Sequence, residues 1–262
     1  MNYVLCLDKI EAVMKRSKKL IRNGVPADDI ATYVEKGINL KLINKLRKME
    51  IPADDLRRYV DKGVDLNIVK DLKKEGIPAG HIFNYVKQNF DLGRMSKAVD
   101  LYKRYRKNGG KKLSNVDKPK SVLSEIVARD IITNKYPLSK YKLKMNVKFI
   151  SDGDPKEAEV DWVVINKRTK KVVAIYEVKG EKSERLAREA REQHNRSRRI
   201  LRNNTRIQSH RKLKIKQFRR TDITYYAVGP LDAKPSANYD ERLNIKSSEL
   251  KALSNTIEDI EI

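Results

Sequence analysis

Apolar positions along this chain fall into two regimes. From Val25 to Leu92 they recur with helical spacing and, on a longer scale, with a period of 26 residues marked by Pro26, Pro52 and Pro78. The stretch Val25 to Leu40 returns as Ile51 to Leu66 and, more loosely, as Ile77 to Leu92. Each unit predicts an αα-hairpin. Proline suits the first helical turn, the acid pairs Asp28-Asp29 and Asp54-Asp55 suit the positive end of a helix dipole, and Gly37 and Gly63 stand where a left-handed C-cap is wanted. In the second helix of a pair, Leu40, Ile43 and Leu46, or Leu66, Val69 and Leu72, share one face. The third copy decays, with Gly80-His81 replacing the acids and Asn89 replacing the glycine, as a terminal repeat does. Tyr33, Tyr59 and Tyr85 recur once per repeat and read as packing residues, and Met95 to Arg106 predicts one more helix.

The second regime begins after Asn108 to Lys120, a polar stretch with two glycines and a proline that reads as a linker. Ser121 to Lys135 predicts a helix. Tyr141 to Ile150 alternates Leu143, Met145, Val147 and Phe149 on one face with basic residues on the other, as a half-exposed strand does, and Ser151 to Lys156 reads as a turn. Val160 to Ile165 and Val172 to Val178 are β-branched and aromatic runs joined by the polar turn Asn166 to Lys170, a β-hairpin. A helix over Ser183 to Arg202, an apolar strand over Ile223 to Gly229 and a short helix around Ser247 to Ala252 complete the chain. The fold class expected is therefore α plus α/β: a helical-repeat module over 1–107, a linker over 108–120, and an α/β domain with a mixed sheet over 121–262. The order helix–strand–strand–strand–helix–strand describes that domain's core.

The hairpin carries charge where its two ends meet. Asp161 lies near the start of the first strand, and Glu177 and Lys179 close the second. Period-two alternation sets Glu159 beside Asp161 and Glu177 beside Lys179. Carboxylates and an ammonium beside a sheet core are costly unless paired or metal-bound. Mg²⁺ takes oxygen from one or two carboxylates and keeps positions for water and phosphate, while a neighbouring lysine holds a water or steadies phosphoryl charge.

This arrangement resembles the PD-(D/E)XK nuclease superfamily, in which an acid near one strand is followed across a hairpin turn by acid-x-Lys. The matching residues are Asp161 and then Glu177-Val178-Lys179. The resemblance implies a restriction-endonuclease-like α/β fold and an Mg²⁺- (or Mn²⁺-) dependent endonuclease. Asp161, Glu177 and the Val178 carbonyl would hold the metal, with Glu159 as a possible addition, and Lys179 would position the attacking water. It also implies a supporting Glu125 on the preceding helix and a Gln193 on the following one. Val160 stands where the pattern often has proline, and Ser197 where one branch has tyrosine. The compact hairpin looks most like the toxin or effector nucleases, which implies a docking or delivery role for the N-terminal module.

Charge then adds a partner. The chain carries a formal +24, and residues 182–220 alone hold 15 Lys or Arg against three acids. That points to nucleic acid, with Arg185, Arg188, Arg191, Arg196, Arg199 and Arg202 on phosphates, and His194 and His210 as phosphate or water contacts. DNA is the favoured substrate and RNA or tRNA the alternative. The repeats, mixed in sign, suit a protein partner or cognate inhibitor. A single cysteine, Cys6, excludes a disulfide framework and suits a reducing, nucleic-acid-containing compartment. No apolar run reaches a membrane span, and Tyr3 to Leu7 followed by Asp8 does not make a signal peptide. Other classes fit the same residues: a non-catalytic nucleic-acid-binding protein on a nuclease-like fold, a phage, mobile-element or repair nuclease, and a repeat-based adaptor anchored on nucleic acid.

Overall fold

The 26-residue period becomes a 26-residue spacing of helices. In the computed structural model, which describes residues 2–151, 154–202, 205–208 and 223–259, the chain divides into two units, Met1–Val99 and Asp100–Glu261. The first unit is helical. It opens on α1 (Asn2–Arg22), a helix the repeat pattern does not announce, and continues with α2 (Ala27–Glu35), α3 (Leu40–Lys48), α4 (Ala53–Asp61), α5 (Leu66–Lys74) and α6 (Ala79–Lys87), up to α7 (Leu92–Lys107), within which the division falls. Each proline sits one position earlier than expected, as the N-cap of α2, α4 and α6. Gly37 and Gly63 take φ of 67° and 66°, and Asn89 takes 55° at the equivalent place. The third repeat therefore decays in sequence and keeps its geometry, because asparagine tolerates the left-handed region better than other side chains. Tyr33, Tyr59 and Tyr85 are buried, so they pack rather than present rings to a ligand.

The second unit holds α8 (Pro119–Lys135), β1 (Tyr141–Ser151), β2 (Asp154–Asn166), β3 (Val172–Val178), α9 (Glu184–Arg202), β4 (Thr205–Gln208), β5 (Thr224–Gly229), β6 (Glu241–Arg242) and α10 (Ser247–Asp259). The sheet is mixed, in the order β4-β1-β2-β3-β5-β6: β1, β2 and β3 run antiparallel, and β5 joins β3 parallel. The strands β4 and β6, four and two residues long, are too short to show a period in sequence. Residues 108–120 lie inside this unit. Leu113 there is 1% exposed, and its N–H donates to the Tyr102 hydroxyl. The C-terminal helix outruns its expected end at Ala252 because Leu250, Leu253 and Ile257 continue its buried stripe.

The two sheet faces differ. On the α9 side, Val147, Phe149, Val160, Val163, Ile165 and Ile175 form a closed apolar cluster, and Ala187 and Ala190 let α9 lie close to Ala227. On the α8 side, Tyr176 stacks on Tyr226 at 4.6 Å, with Tyr136 edge-on at 6.4 Å.

The expected single face of β1 splits at Asn146. Val147 and Phe149 enter the core, whereas Leu143 and Met145 stay half-exposed beside Trp162, the cross-strand partner of Met145. Asn146 has φ of 52°, and one left-handed residue breaks the two-residue alternation. The turn expected over 151–156 is also narrower: Ser151 already pairs with Asp154, so Asp154 to Lys156 belong to β2.

Candidate functional site

The site forms where β2 and β3 part. Their pairing runs from Ile165↔Val172 to Trp162↔Tyr176 and stops there, one residue short of Asp161 and of Glu177. Across the other side of β2, the Asn146 kink lies opposite Asp161, between the pairs Met145↔Trp162 and Val147↔Val160. The Asp161 carboxylate turns into the gap and accepts the Val178 N–H at 2.6 Å, replacing the ladder bond that the departed strand would have made. A strand residue points its N–H and C=O to the same side, so the Val178 carbonyl faces that gap too.

Beyond the gap, β3 stays paired with β5 as far as Val178↔Val228, which holds Glu177 and Lys179 in strand geometry. Alternation puts both on the α9 face. There Lys179 Nζ donates to Glu177 Oε1 at 2.8 Å and to Gln193 Oε1, from α9, at 3.0 Å. Glu125 arrives from the α8 side. Its backbone carbonyl accepts the Trp162 indole N–H at 2.7 Å, and α8 docks tightly because Gly180 has no side chain: a Cβ there would lie 2.3 Å from Ser124 Oγ.

The structure thus brings Asp161, Glu177, Lys179, Glu125 and Gln193 to one end of the sheet. Glu159 it leaves outside. That side chain is 55% exposed and 3.9 Å from Lys148, because the change of face between Val160 and Trp162 separates it from Asp161.

Acid exceeds base at this point. Burial, then the Asp161 charge, push the Glu177 carboxyl up to about 8 although Lys179 pulls it down. Burial followed by Asp161 and Glu177 push Glu125 up to about 9. Asp161 rises to about 6, mainly by burial, with the Val178 N–H and Lys179 opposing. Asp161 and Glu125 keep part of their surface open to water, whereas Glu177 is 2% exposed and its Oε2 has no hydrogen-bond partner. A buried carboxylate oxygen without a donor, beside two more acids and one ammonium, is short of positive charge.

A divalent cation would supply what is missing. Among the described residues, no three His, Cys, Asp or Glu side chains close on one point as a ready-made metal cage. Mg²⁺ does not need one, since it binds through one or two carboxylates and retains waters. Asp161, Glu177 and the Val178 carbonyl fit that requirement.

The basic helix sorts its arginines by what they already touch. Arg188, Arg196 and Arg199 are exposed. Arg185 is also exposed but pairs with Glu189, and Arg191 donates to the Asn238 carbonyl. Arg198, which the sequence reading passed over, lies over the Tyr225 ring at 4.4 Å. The Arg202 side chain and His210 lie outside the described residues. His194 is not a phosphate contact. It is 5% exposed, 5.5 Å from the Tyr225 ring, and burial pushes its imidazole down to about 4, so it stays neutral.

Among the described residues, no helix is long and apolar enough to cross a membrane. No family model, curated protein or solved structure matches the chain.

Proposed function

We propose that the unit Asp100–Glu261 is a metal-dependent endonuclease of the PD-(D/E)XK type that hydrolyses phosphodiester bonds of nucleic acid, DNA in preference to RNA. The observation that carries this reading is Lys179, held by Glu177 on its own strand and Gln193 on α9, next to a buried carboxylate oxygen without a donor. An ammonium has three N–H groups. Two are committed, which aims the third and fixes the side chain as a positioning device for a water or a phosphate oxygen.

Asp161 and Glu177 would hold Mg²⁺ or Mn²⁺, with the Val178 carbonyl as a third oxygen. When bound, the ion polarises the phosphate and acidifies a coordinated water. Lys179 would orient the attacking water and balance the charge that builds on the phosphoryl oxygens. Glu125 supports the acidic cluster from α8. The exposed arginines of α9 hold backbone phosphates without reading bases. In this reading the helical repeats dock a protein partner or deliver the nuclease unit, as in a toxin or effector.

The test is incubation of the purified chain with plasmid DNA, total RNA and tRNA in Mg²⁺, Mn²⁺ or EDTA. Metal-dependent cleavage of at least one substrate, lost in Glu177→Gln, is expected. Intact substrates under every metal condition, or cleavage that survives in Glu177→Gln, would overturn the proposal.

A further inference from the structure

A groove of about 850 Å³ opens on the α8 side of the α/β unit, between Val122 and Arg129 of that helix and Leu143, Met145 and Trp162 of the sheet. Its rim is cationic: Lys111, Arg129, Lys142, Lys144 and Lys167 line it, against one acid, Glu159. Apolar and aromatic side chains share that lining. Tyr105, Tyr141 and Met145 are half-exposed there, and Leu138, at 43% exposure, is among the most exposed large apolar side chains described.

Two lining residues connect the groove to the elements that carry the candidate catalytic centre. Trp162 donates its indole N–H to the carbonyl of Glu125, and Glu159 stands two residues from Asp161 in β2. The α9 arginines lie on the opposite face of the sheet, so they cannot be the reason for this second basic surface.

We propose that the groove takes a single-stranded stretch of nucleic acid on its way to the candidate centre. Backbone phosphates would lie along Arg129, Lys142 and Lys144, and unstacked bases against Tyr105, Tyr141 and Met145. In a duplex the base faces are stacked on one another inside the helix, and side chains meet only edges in the grooves and phosphates outside. Aromatic side chains among cationic ones recognise the opposite case, bases whose flat faces are free to stack. The volume suits a few nucleotides rather than a long tract. The inference rests on the nuclease reading for the strand's destination and names its substrate class: single strands, gaps, flaps or loops, of DNA or RNA.

Binding is measured on the full chain in EDTA, by fluorescence anisotropy. The probes are labelled oligo-dT and oligo-U of about 20 nucleotides, long enough for one binding site, and a blunt duplex of similar length. At least one single strand should bind about tenfold tighter than the duplex, and the two arms show which sugar is preferred. Tyr141→Ala should weaken that strand about tenfold, and Lys142→Ala with Lys144→Ala should do likewise, both leaving duplex affinity in place. Tyr141 also packs edge-on against Tyr136 at 5.2 Å, so the exposed and half-exposed lysine pair keeps the test valid if the tyrosine variant misfolds. Equal affinity for duplex and single strand, or unchanged strand binding in the folded variants, would overturn the proposal. Preferred strand binding without Mg²⁺-dependent cleavage would support the groove and sink only the nuclease reading.

Discussion

Glu177→Gln tests the charge imbalance at the site without asking for catalysis. The carboxyl is pushed from an ordinary 4.5 to about 8, above all by burial and then by Asp161. A raised carboxyl favours the protonated fold. The stability it confers is fully present below the ordinary value and is lost as pH rises through about 8. With about 1.4 kcal/mol per tenfold change in protonation, the metal-free protein loses roughly 3 kcal/mol from this group by pH 7 and somewhat more by pH 9. That is a large share of the roughly 5–15 kcal/mol that keeps a domain folded. Glutamine keeps an oxygen for Lys179 and removes the titration. Its amide NH2, placed where Oε2 has no partner, leaves buried donors unmatched, a constant offset of about 1–3 kcal/mol that does not vary with pH. The single tryptophan, Trp162, is 6% exposed and hydrogen-bonded to Glu125, so its fluorescence in urea reports on this unit alone. In EDTA the stability of the natural protein should fall relative to the variant by about 3–4 kcal/mol between pH 5 and pH 9. Millimolar Mg²⁺ at pH 8 should restore the natural protein and leave the variant unmoved. Parallel stability curves for the two proteins across that range would refute the buried, under-compensated carboxylate.

Asp161→Ala should abolish metal binding measured by calorimetry; it strands the Val178 N–H, a cost of about 1–3 kcal/mol, which relief of the crowded acids Glu177 and Glu125 offsets in the metal-free protein. Lys179→Ala should keep most of the metal affinity while losing cleavage, and the double variant should cut no worse than either alone. Replacing Arg188, Arg196 and Arg199 by alanine should weaken binding to every sequence alike and flatten its salt dependence by about three phosphate contacts; Arg191→Ala, whose guanidinium already serves the Asn238 carbonyl, should leave the slope unchanged. A fragment starting at Asp100 should fold and cut with Mg²⁺, whereas one starting near Lys118 should lose stability with its buried Leu113, and 1–99 should be helical and inert by circular dichroism and cleavage assay. Tyr59→Phe should leave the melting temperature of the repeats equal or higher, since the buried Tyr59 hydroxyl has no partner to lose.

How much of this was legible in the sequence depended on the length of the pattern. The repeats could be read because a 26-residue period samples the same rule several times, and the geometry of Asn89 follows from that rule even where the glycine is gone. The hairpin could be read because β-branched runs flank a turn whose Asn166 side chain accepts from the Arg168 and Thr169 N–H groups. β4 and β6 could not, being two-to-four-residue contributions whose pairing depends on where the rest of the sheet already lies. His194 misled for a related reason. A histidine in an arginine-rich stretch looks like part of the basic face, and only the register of α9, set by Ala187, Ala190 and Ser197 on the buried side, turns it inward.

The candidate site shows the same limit more sharply. Sequence placed Asp161 opposite Glu177-x-Lys179 by assuming a regular hairpin with intact alternation. A regular hairpin would have given the Val178 N–H a backbone partner. The gap between β2 and β3 instead makes room for the Asp161 carboxylate, and the kink at Asn146 accompanies it on the neighbouring strand. An asparagine amid the alternating run Leu143, Met145, Val147, Phe149 was the one sequence signal of that break, since it is the residue in the run suited to positive φ. The same break exposes Met145 beside the buried Trp162 on the α8 face while Val147 goes into the core. One irregular residue pair thus both seats a carboxylate at the end of the sheet and helps shape the groove beside it. Asn146→Val, which favours continuous alternation, should therefore disturb metal affinity and single-strand binding together; a variant that lost one and kept the other would separate the two features.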